Sequence, residues 1–405
     1  MQSLAPDTAG PPALARRERL LIGVVLAANF VVATCGTMLT ALVPDLSRSL
    51  QVSVAQVGQL VTLSGVVMCL MAPLAPVVAR RIGRRQLLTA TLAVQGLALL
   101  LSALKTTWGG LALGRALQSV GPAVFTAQAA ALLGLLLPQR VGRVTATVYL
   151  GWPLALVLGT PAAAWFSAVV GWPWVFAFVG GCSLVAAVAV WQALAPFAAQ
   201  VPPVVKAPWR GMAAGVRSCW LTTAMALAAQ LVLLTYFTSY GRDVLQARPA
   251  DMALALTALG ALGVLGVARI GRVVDRLGAP RAVALCLGLM AVSMGAWPLA
   301  TSLPLAMLVL APWALAGFAL NAAQQARLLA LDAAGGARNI GLNTSFVYLG
   351  QALGAGLGGW WVAHHGYGSL GLAALGFLAL AAVASWHSGA VARPDSPTGG
   401  RIDAA

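Results

Sequence analysis

Gly271-Arg-Val-Val-Asp275-Arg276-Leu-Gly278-Ala-Pro-Arg281 is a short basic segment between two apolar stretches, each long enough to cross a bilayer. An earlier copy reads Arg80-Arg81-Ile-Gly83-Arg84-Arg85, and its Gly83 lies 195 residues before Gly278. In that register Pro76 stands where the later copy has Gly271, and Arg80 where it has Asp275, so the earlier copy is the more degenerate one. Glycine permits a tight reversal between two helices, while arginine cannot enter lipid. Each copy is therefore predicted to be a turn held at one membrane surface. The same turn at nearly equal depth in two apolar halves points to a duplicated chain.

Composition sets the class. With 60% hydrophobic and 8% charged residues among 405, too few charges exist to cover a water-soluble globule. The apolar residues form twelve runs near 20–44, 55–78, 86–104, 109–136, 144–169, 173–195, 216–240, 251–270, 282–301, 305–331, 340–363 and 370–388. Runs of about 20 residues span the hydrocarbon as helices, because isolated strands would leave backbone groups unpaired in lipid. The expected fold is an all-α membrane protein of twelve transmembrane helices in two pseudo-symmetric six-helix bundles.

A net charge of +16 does not require nucleic acid as a partner. Arg16, Arg17, Arg19, Arg84, Arg85, Arg140, Arg143, Lys206, Arg210, Arg217, Arg276, Arg281, Arg338 and Arg393 fall on one side of the predicted spans. Only Arg48, Lys105, Arg242 and Arg248 fall on the other. The positive-inside rule then places both termini in the cytoplasm. Arg16 to Arg19 precede the first run like a signal peptide, but that run is too long and lacks a convincing cleavage site. Five scattered cysteines, with no Cys/His cluster, imply neither a disulfide framework nor a metal site, and no cofactor is called for. His364 and His365 are adjacent, so they do not share one helix face.

The predicted organisation is a disordered tail at 1–15, a first bundle at 16–195, a proline-rich basic linker at 196–215, a second bundle at 216–390 and a disordered tail at 391–405. A second internal repeat supports the duplication. Val148-Tyr149-Leu150-Gly151 recurs as Val347-Tyr348-Leu349-Gly350, and Gly151/Ala155/Gly159 match Gly350/Gly354/Gly358 at the same offset. Such small-residue stripes let helices approach closely where lipid supplies no drive to associate. Pro161, without an N–H, is expected to bend helix 5 beside Gly159.

Arg115, inside helix 4 with no acidic neighbour in sequence, must meet water or hydrogen-bond acceptors. It faces a cavity, snorkels towards the outer surface or ties down carbonyls of helix 1. The nine acidic residues all lie in tails, loops or helix ends. Most tryptophans are read as interfacial anchors, among them Trp108, Trp172, Trp174 and Trp209.

The pattern G-x-x-x-D-R-x-G-x-x-R at Gly271–Arg281 resembles the signature between helices 2 and 3, and 8 and 9, of the major facilitator superfamily. Arg115-x-x-Gln118-x-x-Gly121 resembles its helix-4 motif, and Gly159-Thr-Pro161 the G-x-P element of its drug and sugar exporters. Helix 11, from Leu342 to Gly359, is similar to that of the bacterial arabinose-efflux and chloramphenicol-exporter group of drug:proton antiporters. The resemblance implies that Arg80, Gly83, Arg84, Arg85, Gly271, Asp275, Arg276, Gly278 and Arg281 form a cytoplasmic gate. It also implies a cavity lined by helices 1, 4, 7 and 10. The candidates there are Asn29, Thr34, Thr37, Arg115, Gln118, Gln230, Tyr236, Asn321, Gln324 and Gln325. Many exporters of this group carry a carboxylate in helix 1 where this chain has Gly36, which argues against a cation substrate. The implied protein is a monomeric secondary transporter of a bacterial inner membrane, exporting a small neutral or amphipathic solute by rocking its halves, with protons as a candidate coupling ion. An importer or passive facilitator, and a transporter-like sensor that binds without translocating, are the alternatives.

Overall fold

The computed structural model describes residues 11–104, 107–137, 144, 147–200, 215–332 and 336–391. The first six long helices are α1 (Pro11–Leu50), α2 (Val54–Ile82), α3 (Arg84–Leu104), α4 (Trp108–Leu136), α5 (Thr147–Val170) and α6 (Trp172–Leu194). The second six are α7 (Val216–Asp243), α8 (Pro249–Leu277), α9 (Ala279–Gly295), α10 (Leu303–Leu331), α11 (Gly336–His365) and α12 (Leu370–Val391). Ten of the twelve are long and apolar enough to cross a membrane; α9 is shorter, and α11, which carries Asn343, Thr344, Ser345 and Gln351, is not among the ten.

The two turns read first in the sequence have one backbone geometry. A single glycine joins α2 to α3 and α8 to α9: Gly83 at φ 83°, ψ 152° and Gly278 at φ 80°, ψ 152°. Each donates its N–H back to the last turn, Gly83 to the Ala79 carbonyl at 2.9 Å and Gly278 to that of Val274 at 2.8 Å. Residues with a Cβ are strained at such φ, which is why glycine ends both helices.

Several boundaries differ from the sequence expectation. α1 begins at Pro11, inside the segment expected to be a disordered tail; residues 1–10 and 392–405 lie outside the described residues. Ala195–Gln200 continues α6 as a 3-10 turn into the expected linker, and 201–214 lie outside the described residues, as do Lys105, Arg140, Arg143, Lys206, Trp209, Arg210 and Arg393. α9 stops at Gly295 rather than 301, because Pro298 cannot donate to the Met294 carbonyl; a 3-10 turn follows at Trp297–Leu299. Pro122 likewise breaks α4 at Ser119, whose hydroxyl folds back onto the Arg115 carbonyl at 2.5 Å. In α5 the backbone widens into a π segment at Ala155–Gly159, just before Pro161. A missing N–H at Pro161 leaves a carbonyl one turn back without its usual donor, and such bulges absorb the misfit.

Close packing follows the glycine stripes. A Cβ on Gly354 would come within 2.9 Å of Ala228 Cα, and one on Gly358 within 3.1 Å of Val232 Cα, so α11 lies directly on the α7 backbone. In the first half, Gly151 and Gly159 of α5 stand against Asn29 and Thr34 of α1. The α1/α5 and α7/α11 pairs thus occupy equivalent places in the two bundles. The bundles meet where α2 packs on α11, with Gly65 against the backbone of Tyr348 and Ala352, and where α5 packs on α8, with Gly260 against Leu156.

Candidate functional site

In the first half, the polar side chains expected to line the cavity are largely engaged with one another. Asn29 donates to the Val148 carbonyl (2.7 Å) and accepts from the Thr126 hydroxyl (2.6 Å), which in turn accepts from the Trp152 indole N–H (3.1 Å). One chain of bonds therefore joins α1, α4 and α5. Thr34 bonds the Phe30 carbonyl, and Thr37 bonds the Ala33 carbonyl and meets Thr160 Oγ1 at 2.7 Å. Arg115 is 2% exposed; its Nε donates to Ser64 Oγ at 3.0 Å and its Nη1 to the Cys35 carbonyl at 3.2 Å. Of the three roles open to it in the sequence, the tie to helix 1 is the one these bonds display, with α2 added. Gln118, fully buried, accepts from the Cys35 thiol at 3.6 Å through Oε1, while its Nε2 has no partner.

The second half repeats the theme with other residues. Gln324 donates to the Cys219 carbonyl (3.1 Å), Thr223 to Asn343 Oδ1 (2.7 Å), and Asn343 to Asn321 Oδ1 (3.3 Å). Gln230 reaches the Gly317 carbonyl at 3.4 Å, and Gln325 is half-buried. Tyr236 was read as a cavity residue, but its ring is packed among Gly58, Gly358 and Gly359, and its hydroxyl bonds the Ala355 carbonyl at 2.6 Å. It serves the α7/α11/α2 junction.

Among the described residues, the polar contacts that cross between the halves include these. The Tyr348 hydroxyl of α11 donates to the Pro122 carbonyl of α4 at 2.8 Å. Towards the end opposite the glycine turns, Thr238 of α7 donates to the Thr40 carbonyl at 2.7 Å, and Arg242 approaches Asp45 at 3.8 Å. Asp45 is also held within its own half by Arg48 (3.2 Å) and the Ser167 hydroxyl (2.6 Å). Asp243, paired with Arg242 at 3.2 Å, accepts from Tyr367 at 3.0 Å. Burial and the adjacent Asp243 carboxylate push the Tyr367 hydroxyl well above its ordinary pKa, so it stays a donor.

At the glycine-turn end, Arg80, Gly83, Gly271, Asp275, Arg276, Gly278 and Arg281 are exposed. Arg84 is buried, and Arg85 turns to its own half, donating to the Trp191 carbonyl with its guanidinium 3.6 Å above the Trp191 ring. Trp172, read as an interfacial anchor, is buried and donates to Ser49.

Four residues not singled out as site candidates matter here. In the sequence Asp45 is a helix-end carboxylate open to proton coupling and Arg242 one of the few charges on the outer side; nothing there pairs them. Arg327 is a further buried arginine, tied to Ser385 at 2.7 and 2.8 Å, and its position inside an apolar run was the available signal. Trp152 stands against Gly36, whose Cβ, if present, would meet the indole at 3.2 Å. No sequence signal pairs those two.

The sequence model of the Major Facilitator Superfamily matches residues 25–332. Among similar proteins is the inner membrane transport protein YdhP of Escherichia coli (strain K12), 26% identical over 320 residues that cover 78% of this chain and 82% of YdhP. A chloramphenicol efflux pump of Mycobacterium tuberculosis is 28% identical over 260 residues, 63% of each chain. The transcription regulatory protein OpdE of Pseudomonas aeruginosa is 27% identical over 361 residues, covering 84% of this chain and 87% of OpdE. Among solved structures, a bacterial homolog of the human lysosomal transporter Spinster, inward-facing and occupied, superposes with a TM-score of 0.71 at 16% identity over 95% of this chain and 98% of that one. The nucleoside transporter NupG gives 0.68 at 13% identity over 92% and 99%.

Proposed function

Because this chain belongs to the Major Facilitator Superfamily, we propose that it is a secondary active exporter of a small neutral or amphipathic solute, working by alternating access between its two bundles. It is a multi-pass membrane transporter of the efflux group and not an enzyme. The observation that carries the alternating-access mechanism is the pair of unlike ends. One end is pinned across the halves by Thr238–Thr40 and Arg242–Asp45, while the described residues of the paired glycine turns are exposed at the other. Two part-buried polar contacts are weak enough to break in each cycle, since a neutral hydrogen bond contributes a net of about 0.5–1.5 kcal/mol and an ion pair near the surface about 0–1 kcal/mol. On this reading the arginine-rich turns face the cytoplasm, as do both termini, and the Asp45 end faces outward.

Substrate charge follows from which groups are absent from mid-depth among the described residues. Glu18, Asp45, Asp243, Asp251, Asp275 and Asp332 all sit near helix ends, so no described carboxylate stands ready to bind an organic cation at the midplane. Proton coupling, if used, would run through Asp45, Asp275 or Asp332. The test is purified protein in liposomes with an imposed pH gradient, offered chloramphenicol as the neutral solute and tetraphenylphosphonium as the cation. Movement of chloramphenicol alone is the expected result. Movement of the cation alone overturns the substrate class, and binding without movement of any solute favours the sensor alternative raised by the relative OpdE.

A further inference from the structure

Trp152 sits at the start of α5, half-buried, with its indole directed between α1 and α4. Its N–H is fixed by Thr126, itself fixed by Asn29, so the ring has a set orientation. The indole lies on bare backbone: a Cβ at Gly36 would come within 3.2 Å of the indole and 3.8 Å of the Pro122 ring. The Gln118 side chain lies one turn before Pro122 on α4 and accepts from Cys35, the neighbour of Gly36. Its amide nitrogen is buried without a partner, an unfavourable state unless something accepts from it. Pro122, at the edge of the same group, is where the second half touches through Tyr348. An aromatic wall, an unused donor and a contact between the halves therefore lie within about one helical turn of one another along α1 and α4.

We infer that Trp152 is the specificity-determining residue of this transporter, and that Trp152 and the Gln118 amide together form a subsite for a neutral, flat aromatic solute bearing a hydrogen-bond acceptor. The inference rests on the exporter reading above. Parting of Tyr348 from Pro122 opens the subsite. The solute then stacks on the indole and accepts from Gln118 Nε2, while the absence of any side chain at Gly36 is what leaves room for the ring. A carboxylate at that point would both displace the indole and favour cations.

The experiment is equilibrium binding of radiolabelled chloramphenicol to the purified full chain, with tetraphenylphosphonium as the cationic probe and thermal melting as the folding control. Trp152→Ala should weaken chloramphenicol binding at least about tenfold, Trp152→Phe should keep it within about threefold, and Trp174→Ala on the exposed rim should leave it unchanged, since the aromatic contact is the quantity removed. Gly36→Ala should weaken it by crowding the indole, and Gln118→Leu by removing the donor. A merely structural Trp152 would give equal losses in Phe and Ala. Equal binding by Trp152→Ala and parent protein overturns the inference, as does a parent that binds the cation and not chloramphenicol. If the parent binds chloramphenicol through Trp152 yet moves no solute in liposomes, the subsite stands and the exporter reading fails.

Discussion

Gly354→Leu is expected to remove most of the folded protein from the membrane. The added side chain would meet the α7 backbone at Ala228 Cα, 2.9 Å from a Cβ, and the Leu231 Cβ at 2.9 Å. Backbone cannot turn aside as a flexible side chain can. Overpacking a close interface costs about 1–3 kcal/mol where neighbours can adjust, and the upper end or beyond applies where they cannot. The same substitution at Gly376, with nothing within 4 Å, is the control and should be tolerated. The readout is yield of monodisperse protein after detergent extraction, followed by melting temperature. If Gly354→Leu purifies and melts like the parent, α11 does not lie on α7 as described.

Arg115→Met should separate stability from function. Its guanidinium makes two described hydrogen bonds, to Ser64 and the Cys35 carbonyl, worth about 1.5–3 kcal/mol each as charge-assisted bonds. Against that stands the burial of an uncompensated charge, which costs several kcal/mol, so an apolar replacement of similar length should change melting little. Transport should nonetheless fall more than tenfold, as an estimate for loss of a membrane-buried charged group that joins three helices. Two of those helices, α1 and α4, border the subsite, and α2 packs on the opposite half. The loss should be the same for neutral and charged solutes, because the guanidinium is spent on protein acceptors. A loss confined to anionic solutes would mean that Arg115 faces the cavity as a fixed charge.

The architecture was legible because its signals are local. Gly83 and Gly278 announce themselves by spacing and by flanking arginines, and the structure gives them one backbone conformation within a few degrees. The stripe Gly350/Gly354/Gly358 needs only helical periodicity to be read as a packing face. The site was much less legible. Asn29, Thr37 and Tyr236 are polar at mid-depth, but periodicity cannot say whether a polar side chain turns to a cavity or to the next helix. That depends on where α5 lies on α1 and α11 on α7. Trp152 against Gly36 and Asp45 against Arg242 are pairs from different helices, with nothing in either local sequence to couple them. Helix ends moved for a simpler reason: Pro298 shortened α9, whereas Pro44 sits inside α1 without ending it.

Alternating access itself is tested by locking one end. In a protein whose five native cysteines are replaced, Asp45→Cys with Arg242→Cys places two thiols on the outer ends of α1 and α7, where the native side chains now approach to 3.8 Å. Bridging the two thiols in liposomes with a reducible bifunctional thiol reagent about as long as the arginine side chain should abolish solute movement, because a direct disulfide needs a Cα separation of about 4.4–6.8 Å. A reducing agent should restore it to the rate of the untreated variant, while either single cysteine should be insensitive. Undiminished transport by the fully crosslinked protein would contradict the account, because halves joined at that end cannot alternate.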